Sequence, residues 1–454
     1  MSLTSGFVDL ATYDELEKYF YGGAKATTYF VRKTRKASWF TQVPVTLSGS
    51  SGLKDFGQEW SVSISRAGDY LLHNWLRVTI PAVTPDTGRS VRWTRNLMHN
   101  LVEKASIRFN DLVEAEFDSN FLDFWTAFTV PAGKRVGYDN MIGNIESLIN
   151  PAGGDPLPST TLVLPLPFPH TRDTGVSLPT AALPYNEMRI LIKFRKLDEL
   201  LIAEDEGGLV VTAPAVLGVD TKETSLSLSN VEMWANYAIV SNAERVKMGA
   251  APRDMAIEQF QTALPQTANL IGASSITRDL RLSHAVKVLF FGVENTTNSA
   301  ERSNYTSATP VRVSSDAGAV DFNPPKATDP IALTTIRYEN TARLQDMGSD
   351  FFSLVQPYYQ CRTFSIPTST GYHMYSYSLD LLSIDPMGST NFGKLTNISL
   401  THQFSAEAIA GATAGPDAGS TLGHTGPQTF RSVACVVNNN VVRVSGGALG
   451  FPVL

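Results

Sequence analysis

The residues Gly388-Ser389-Thr390-Asn391-Phe392-Gly393-Lys394 reproduce the spacing of a phosphate-cradling loop, in which glycines let backbone amides close on a phosphate and the lysine reaches its oxygens. That chemistry also needs a serine or threonine next, to hold Mg²⁺, and a helix opening after the loop. Here the next residue is Leu395, and Thr396–Phe404 alternates like a strand. The stretch reads as a β–β connection. The seven histidines, His73, His99, His170, His284, His373, His402 and His424, are scattered. No two stand at H-x-x-x-H spacing and no cysteine pair joins them, so no metal site is read. His402 lies on the alternating face of a strand and is expected to be a hydrogen-bonded structural histidine. Cys361 and Cys435 are too few for a disulfide scaffold. They are expected to be reduced, half-buried thiols, with a bridge between chains as the alternative. Neither a G-x-S-x-G elbow nor a dinucleotide glycine fingerprint is present. The residues thus name no catalytic set, no cofactor and no metal.

Two charged clusters remain. Glu204-Asp205-Glu206, next to Gly207-Gly208, reads as solvated acids on a linker. Arg32-Lys33-Thr34-Arg35-Lys36 is the one basic cluster. It is either a solvated loop or a patch in which Arg32, Lys33, Arg35 and Lys36 contact anionic lipid or an acidic partner. The chain carries 37 basic and 43 acidic residues, a net charge of −6, and shows no basic domain. Direct binding of nucleic acid is not expected. Met1–Leu10 lacks the basic and apolar regions of a signal peptide, and Ser2 breaks the myristoylation pattern. Synthesis and retention in the cytosol are expected. The sequons at Asn295, Asn304 and Asn397 are then expected to stay unmodified.

The elements that would position these residues read as β from end to end. Hydrophobic residues make up 43% of the 454, aromatics 10% and charged residues 18%, which fits a packed core and excludes global disorder. Alternation marks strands at Trp60–Ile64, Leu76–Ile80, Met188–Arg195, Val231–Ile239, Ile398–Phe404 and Val433–Val437. Ala105–Phe109 and Val113–Phe117 flank the turn pair Asn110-Asp111 and predict a hairpin. Helix signals are few. Thr12-Tyr13-Asp14-Glu15 spells a capping box with Thr12 as N-cap, and Gly22-Gly23 ends that helix. A second short helix is predicted at Phe121–Phe128, capped by Asp118 or Ser119. The longest apolar run, Val286–Val293, is far short of the roughly 20 residues a membrane helix needs. Glu204–Lys222 reads as an interdomain linker. Long loops are expected at 144–161, 295–332 and 406–428. No internal sequence repeat is evident.

Against this background the whole chain resembles the major capsid proteins of the large icosahedral DNA viruses, most closely those of iridoviruses. The segments that carry the resemblance are Thr4–Ala11, Leu16–Gly23, Ala26–Phe30, Ser65–Tyr70, Met98–Glu103, Gly137–Asn144, Leu162–Phe168 and Leu183–Glu187 in the first half. Ser283–Lys287, Ser353–Pro357, Gly388–Gly393 and Gly450–Leu454 carry it in the second. The decoy phosphate loop falls inside one of them.

The resemblance implies an all-β fold of two consecutive eight-stranded jelly rolls with a few short helices. The division is 1–24 as an N-terminal segment with a short helix, 25–205 as the first jelly roll, 206–224 as a linker and 225–454 as the second. It also implies a homotrimer with a pseudo-hexagonal outline, contacts with neighbouring capsomers and minor capsid proteins, and a place in the virion shell above an internal membrane. No enzymatic activity and no cofactor are implied, and assembly is expected in the host cytoplasm. The N-terminal segment is expected near minor proteins or membrane. The alternative is a jelly-roll spike that binds a receptor or a carbohydrate, because fold alone does not separate the two functions.

Overall fold

The computed structural model describes residues 3–204, 222, 225–270, 272–312, 320–321, 328–361, 367, 369–414 and 427–452. Met1–Trp39 and Phe40–Leu454 are separate units. The first unit holds α1 (Leu3–Ala11) and α2 (Glu15–Phe20). The N-cap of α2 is Asp14, whose carboxylate accepts from the Leu16 amide at 2.9 Å. Thr12 does not serve, because its hydroxyl donates back to the Asp9 carbonyl at the end of α1, a helix that the sequence reading missed. The unit presents apolar side chains to solvent, among them Phe7, Leu10, Leu16 and Phe20.

In the second unit the alternating segments fold into strands. They are β1 (Phe40–Leu47), β2 (Gly49–Gly52), β3 (Glu59–Ser63), β4 (Tyr70–Ile80), β5 (Ser90–Trp93), β6 (Val102–Phe109), β7 (Leu112–Asp118), β8 (Thr160–Pro165), β9 (Met188–Phe194), β10 (Leu201–Glu204) and β11 (Ser229–Val240). After them come β12 (Arg253–Ala268), β13 (Ser275–Asp279), β14 (Ala285–Asn295), β15 (Val311–Arg312), β16 (Val320–Asp321), β17 (Ile331–Tyr338), β18 (Thr341–Gly348), β19 (His373–Ser376), β20 (Thr390–Asn391), β21 (Ile398–Phe404), β22 (Phe430–Ser445) and β23 (Ala448–Gly450).

The sheet orders reveal a duplication. One sheet runs β1-β11-β4-β8 and faces β2-β3-β9-β6-β7. The other sandwich pairs β12-β22-β14-β19 with β13-β21-β17-β18. Read as first, last, third and sixth long strands against second, seventh, fourth and fifth, the two orders are the same. Each is the two-sheet antiparallel arrangement of a jelly roll. The repeat is one of topology, which the letters did not display.

The order also corrects the expected division. The expected division puts β11 in the second half, yet it lies between β1 and β4, with Leu47 opposite Met233 and Leu76 opposite Met233 on its other side. A strand hydrogen-bonded on both edges belongs to that sheet, so the first sandwich extends to Val240. Of the expected linker at 206–224, all but Lys222 lies outside the described residues.

The run Val286–Val293 lies in β14, which is buried on both faces. Val288 and Phe290 join the first sandwich's core, whereas Leu289, Phe291 and Val293 fill the second. A strand covered on both sides loses its alternation and reads as a continuous apolar run.

Helices fill the connections: α3 (Leu97–Leu101), α4 (Ser119–Thr129), α5 (Ala132–Ile142), α6 (Glu146–Ile149), α7 (Asn242–Ala250), α8 (Gln356–Gln360) and α9 (Ala406–Ala414). α4 is the helix predicted at Phe121–Phe128, and the Asp118 carboxylate caps it by accepting from the Phe121 amide. No helix among the described residues is long and apolar enough to cross a membrane. The expected 295–332 loop is not a surface loop over Ala300–Pro310, which is almost wholly buried. Its polar side chains find partners inside the molecule, as described next.

Candidate functional site

The chemistry-bearing side chains that the fold gathers lie at the seam between the two sandwiches. β7 and α4 of the first sandwich meet the outer face of the β12-β22-β14-β19 sheet of the second. The apolar part is aromatic. Phe121 sits 4.3 Å from Phe260 of β12, ring centroid to centroid, and Phe128 stacks 5.6 Å from Phe290 of β14. Trp125 contacts both rings. Such pairs contribute about 0.5–1.5 kcal/mol each beyond their buried area.

The polar part is a buried network around Asp123 of α4. Its carboxylate accepts from His99 Nδ1 at 2.7 Å and Asn96 Nδ2 at 3.1 Å, both in or beside α3. From the second sandwich it accepts Ser303 Oγ at 2.5 Å and, at 3.4 Å, the Tyr305 hydroxyl. His99 Nε2 lies 2.7 Å from the Tyr138 hydroxyl. Ser303 has φ +55°, a conformation that costs a non-glycine residue, and it is held there by Asp123 and by Asn100, whose amide donates to its hydroxyl. A serine, an aspartate and a histidine are thus together, but the aspartate stands in the middle. The histidine does not touch the serine, whose hydroxyl is held by the aspartate carboxylate instead, so the arrangement is that of a clamp and lacks the serine–histidine contact of an acyl-transfer triad.

Two ionic clusters flank the clamp. Arg92, fully buried, donates to Glu204 at 2.8 Å and to Glu301 at 2.6 Å. Burial opposes its charge, and the two carboxylates outweigh burial, so its guanidinium is held above the ordinary value. Glu204, expected to be solvated, is therefore a buried partner; Asp205 and Glu206 lie outside the described residues. On the other side Glu258 of β12 accepts from Arg172 of the first sandwich at 2.7 Å and from Lys287 of β14 at 2.5 Å. A buried ion pair adds little net stability, but removing one partner strands a charge. These pairs therefore fix how the sandwiches meet more than how firmly each one folds.

The sequence reading missed this seam. The signal was a single charged residue inside a mostly apolar stretch: Asp123 within Phe121–Phe128 and Lys287 within Ala285–Val293.

The other expectations find their places. Arg32, Lys33, Arg35 and Lys36 lie in a stretch without regular structure, all exposed. Tyr29 (99% exposed), Phe30 (96%) and Trp39 (86%) flank them. The Gly388–Lys394 loop leads through β20 and a single 3-10 turn into β21, a strand and not a helix. His402 is buried, with Nδ1 3.1 Å from the Thr334 hydroxyl and its ring stacked on Phe291. Burial, with lesser contributions from His373 and Arg278, pushes it down to about 3, so it is neutral. Cys361 and Cys435 are free and more deeply buried than expected. Asn295 and Asn304 are buried too. Each side-chain oxygen accepts from the threonine two residues on, at 2.5 Å from Thr297 and 2.8 Å from Thr306. These two sequons are turn chemistry. Among the described residues no three histidine, cysteine or acidic side chains converge on a common point.

Comparison with known proteins places this architecture. A family model described as "Major capsid protein N-terminus" matches residues 28–240. Another, "Large eukaryotic DNA virus major capsid protein", matches 244–450. The first ends at the last residue of β11. The chain is 56% identical over 467 residues to the major capsid protein of Costelytra zealandica iridescent virus, covering 100% of this chain and 99% of the relative. It is also 56% identical over 461 residues to that of Tipula iridescent virus, covering 98% and 97%. Among solved structures, PBCV-1 VP54, fitted into a reconstruction of the virophage Sputnik, matches at a TM-score of 0.73 and 18% identity, over 94% of this chain and 100% of that one. At that identity the likeness speaks for the fold, the double jelly roll. With both halves matched and full-length relatives more than half identical, the chain belongs to the major capsid proteins of the large eukaryotic DNA viruses, in the iridovirus group, as a structural subunit of the capsid.

Proposed function

We propose that three copies of this chain close into a capsomer of pseudo-hexagonal outline, and that such capsomers tile an outer icosahedral shell in contact with minor capsid proteins. The observation that carries this reading is the duplicated strand order. Two sandwiches of the same topology, fixed to each other by the Asp123 clamp and the Arg92 and Glu258 ion pairs, give each chain two near-equivalent blocks. Three chains then supply six, and head-to-tail contacts between unlike flanks close a ring. Assembly in the host cytoplasm fits the two reduced, buried thiols.

The N-terminal unit supplies a further contact. Arg32, Lys33, Arg35 and Lys36 with their exposed aromatic neighbours combine the charge that anionic headgroups attract with the rings that settle at a lipid interface. This reading assigns the cluster to the internal membrane, with an acidic minor protein as the competing outcome.

Negative-stain electron microscopy of the purified chain tests the capsomer. Three-fold particles with six lobes are expected. Monomers, or three separate elongated knobs, would overturn the reading.

A further inference from the structure

Within the chain, one sandwich shows how it receives the next. The segment after β7, the edge strand of its sheet, folds into α4, and α4 covers the outer face of the β12-β22-β14-β19 sheet through Phe121, Trp125 and Phe128. The duplicated topology puts an equivalent segment after β18 in the second sandwich. It is helical as well, as a π-turn over Phe351–Val355 that continues into α8. Phe352 and Pro357 anchor it inward. Leu354 (48% exposed), Val355, Tyr358 and Tyr359 (74% exposed) stand one helical turn apart in two pairs and share one outward face.

The equivalent receiving surface on the first sandwich is the outer face of the β1-β11-β4-β8 sheet. At its centre Trp75 of β4 and Trp234 of β11 stack with rings 6.1 Å apart and nearly parallel, both only half-buried. Beside them opens a cleft of about 520 Å³ lined by Trp75, Met141, Val163, Pro165 and Tyr138. Polar pairs border this apolar centre: Arg77 with Glu232, and Asn236 with Gln42. An apolar centre inside a polar rim is the anatomy of a contact between separately folded chains.

From this internal precedent we infer that the Leu354–Tyr359 face of one copy docks on the Trp75–Trp234 face of a second copy, repeating between chains the contact that α4 makes within one. The inference rests on the ring reading above and names its seam. The occupant is a second copy because the chain itself displays the same kind of element seated on the same kind of face. The contact is heterologous, since knob and socket lie on different sandwiches, and a heterologous contact can close into a ring where a self-complementary one stops at a pair.

The test is made on the full chain. A photo-crosslinking residue replaces Tyr359 in isotopically labelled protein, which is mixed with unlabelled protein so that crosslinks between copies are distinguished from those within one. Crosslinks between copies to peptides within 70–80, 160–167 or 229–240 are expected. In parallel Tyr359→Asp, an exposed change whose folding is checked by circular dichroism, is expected to raise the concentration needed for assembly about tenfold or more, as loss of an aromatic anchor does. Wild-type oligomers that crosslink elsewhere, or Tyr359→Asp chains that assemble like wild type, would overturn this seam and leave the trimer reading standing. Wild-type chains that remain monomeric at every concentration would overturn both.

Discussion

Glu114 shows how a single residue can be caught by its surroundings. Alternation along Val113–Phe117 puts it on the polar side of the hairpin, yet it is 3% exposed. The pairing of β6 with β7 shifts there, with Ile107 opposite Ala115 but Arg108 opposite Val113, so Glu114 is the extra residue of a bulge. Its Oε2 has no hydrogen-bond partner among the described residues, and Gln259 donates to its main-chain carbonyl instead. Burial alone pushes its carboxyl up to about 8. A carboxyl raised in the folded state favours folding below the ordinary carboxylate range, and that contribution is lost as pH rises through about 8. Glu114→Gln should therefore raise the unfolding temperature at about pH 8.5 and change it little at about pH 4.5. Equal shifts at both would show that the carboxyl is not held neutral. The decoy loop makes the opposite point. Gly388 has φ +118°, and a Cβ there would stand 2.5 Å from the Tyr377 carbonyl oxygen, so the glycine is needed by the backbone. Lys394 is exposed. Gly388→Ala should lower the yield of folded protein, whereas Lys394→Ala should assemble normally. Calorimetric titration of the wild type with ATP should give no binding heat, and measurable affinity would restore the phosphate reading.

At the scale of elements, the prediction concerns the clamp. Asp123→Ala leaves His99, Asn96 and Ser303 facing each other without their common acceptor. Stranding such buried partners costs about 3–5 kcal/mol. Because the clamp joins sandwiches and not strands of one sheet, the loss should also appear as a split unfolding transition in denaturant. Asp254→Ala, which breaks an exposed pair with Arg443, should leave the curve unchanged. A single transition displaced equally by both variants would remove the clamp from the seam. Much at this scale was legible. Period-2 alternation located β3, β4, β6, β7, β9, β11, β21 and β22, and the Asp118 cap located α4. What alternation cannot carry is the identity of a strand's neighbour. Val231–Ile239 announces a strand, but only the paired registers with β1 and β4 assign it to the first sandwich. Nor could spacing find the clamp, since 24 residues separate His99 from Asp123 and 180 separate Asp123 from Ser303. Thr12 misled because two helices compete for it, and the earlier one takes its hydroxyl.

For the whole molecule the argument turns on which charges can act at a distance. The net charge is −6, yet four cations sit within five residues of the N-terminal unit. Many of the other basic side chains are committed: Arg92, Arg172, Lys287, Arg302 and Arg431 each face a carboxylate. Each cation near an anionic surface contributes about 1 kcal/mol, and the attraction falls off within a Debye length of about 8–10 Å. Arg32, Lys33, Arg35 and Lys36 together would then give a few kcal/mol, enough for reversible attachment, with Tyr29, Phe30 and Trp39 adding apolar contact. Vesicles rich in phosphatidylserine should therefore retain the wild-type chain at low salt and release it as salt rises. Reversal of the four residues to glutamate should abolish that retention, while Tyr29→Ala with Phe30→Ala should weaken it and leave its salt dependence in place. Capsomers should still form in both, because the cluster lies outside the sandwiches. Retention of the reversed variant would assign the cluster to solvent. Loss of binding to an acidic minor protein, with vesicle binding unchanged, would assign it to that protein.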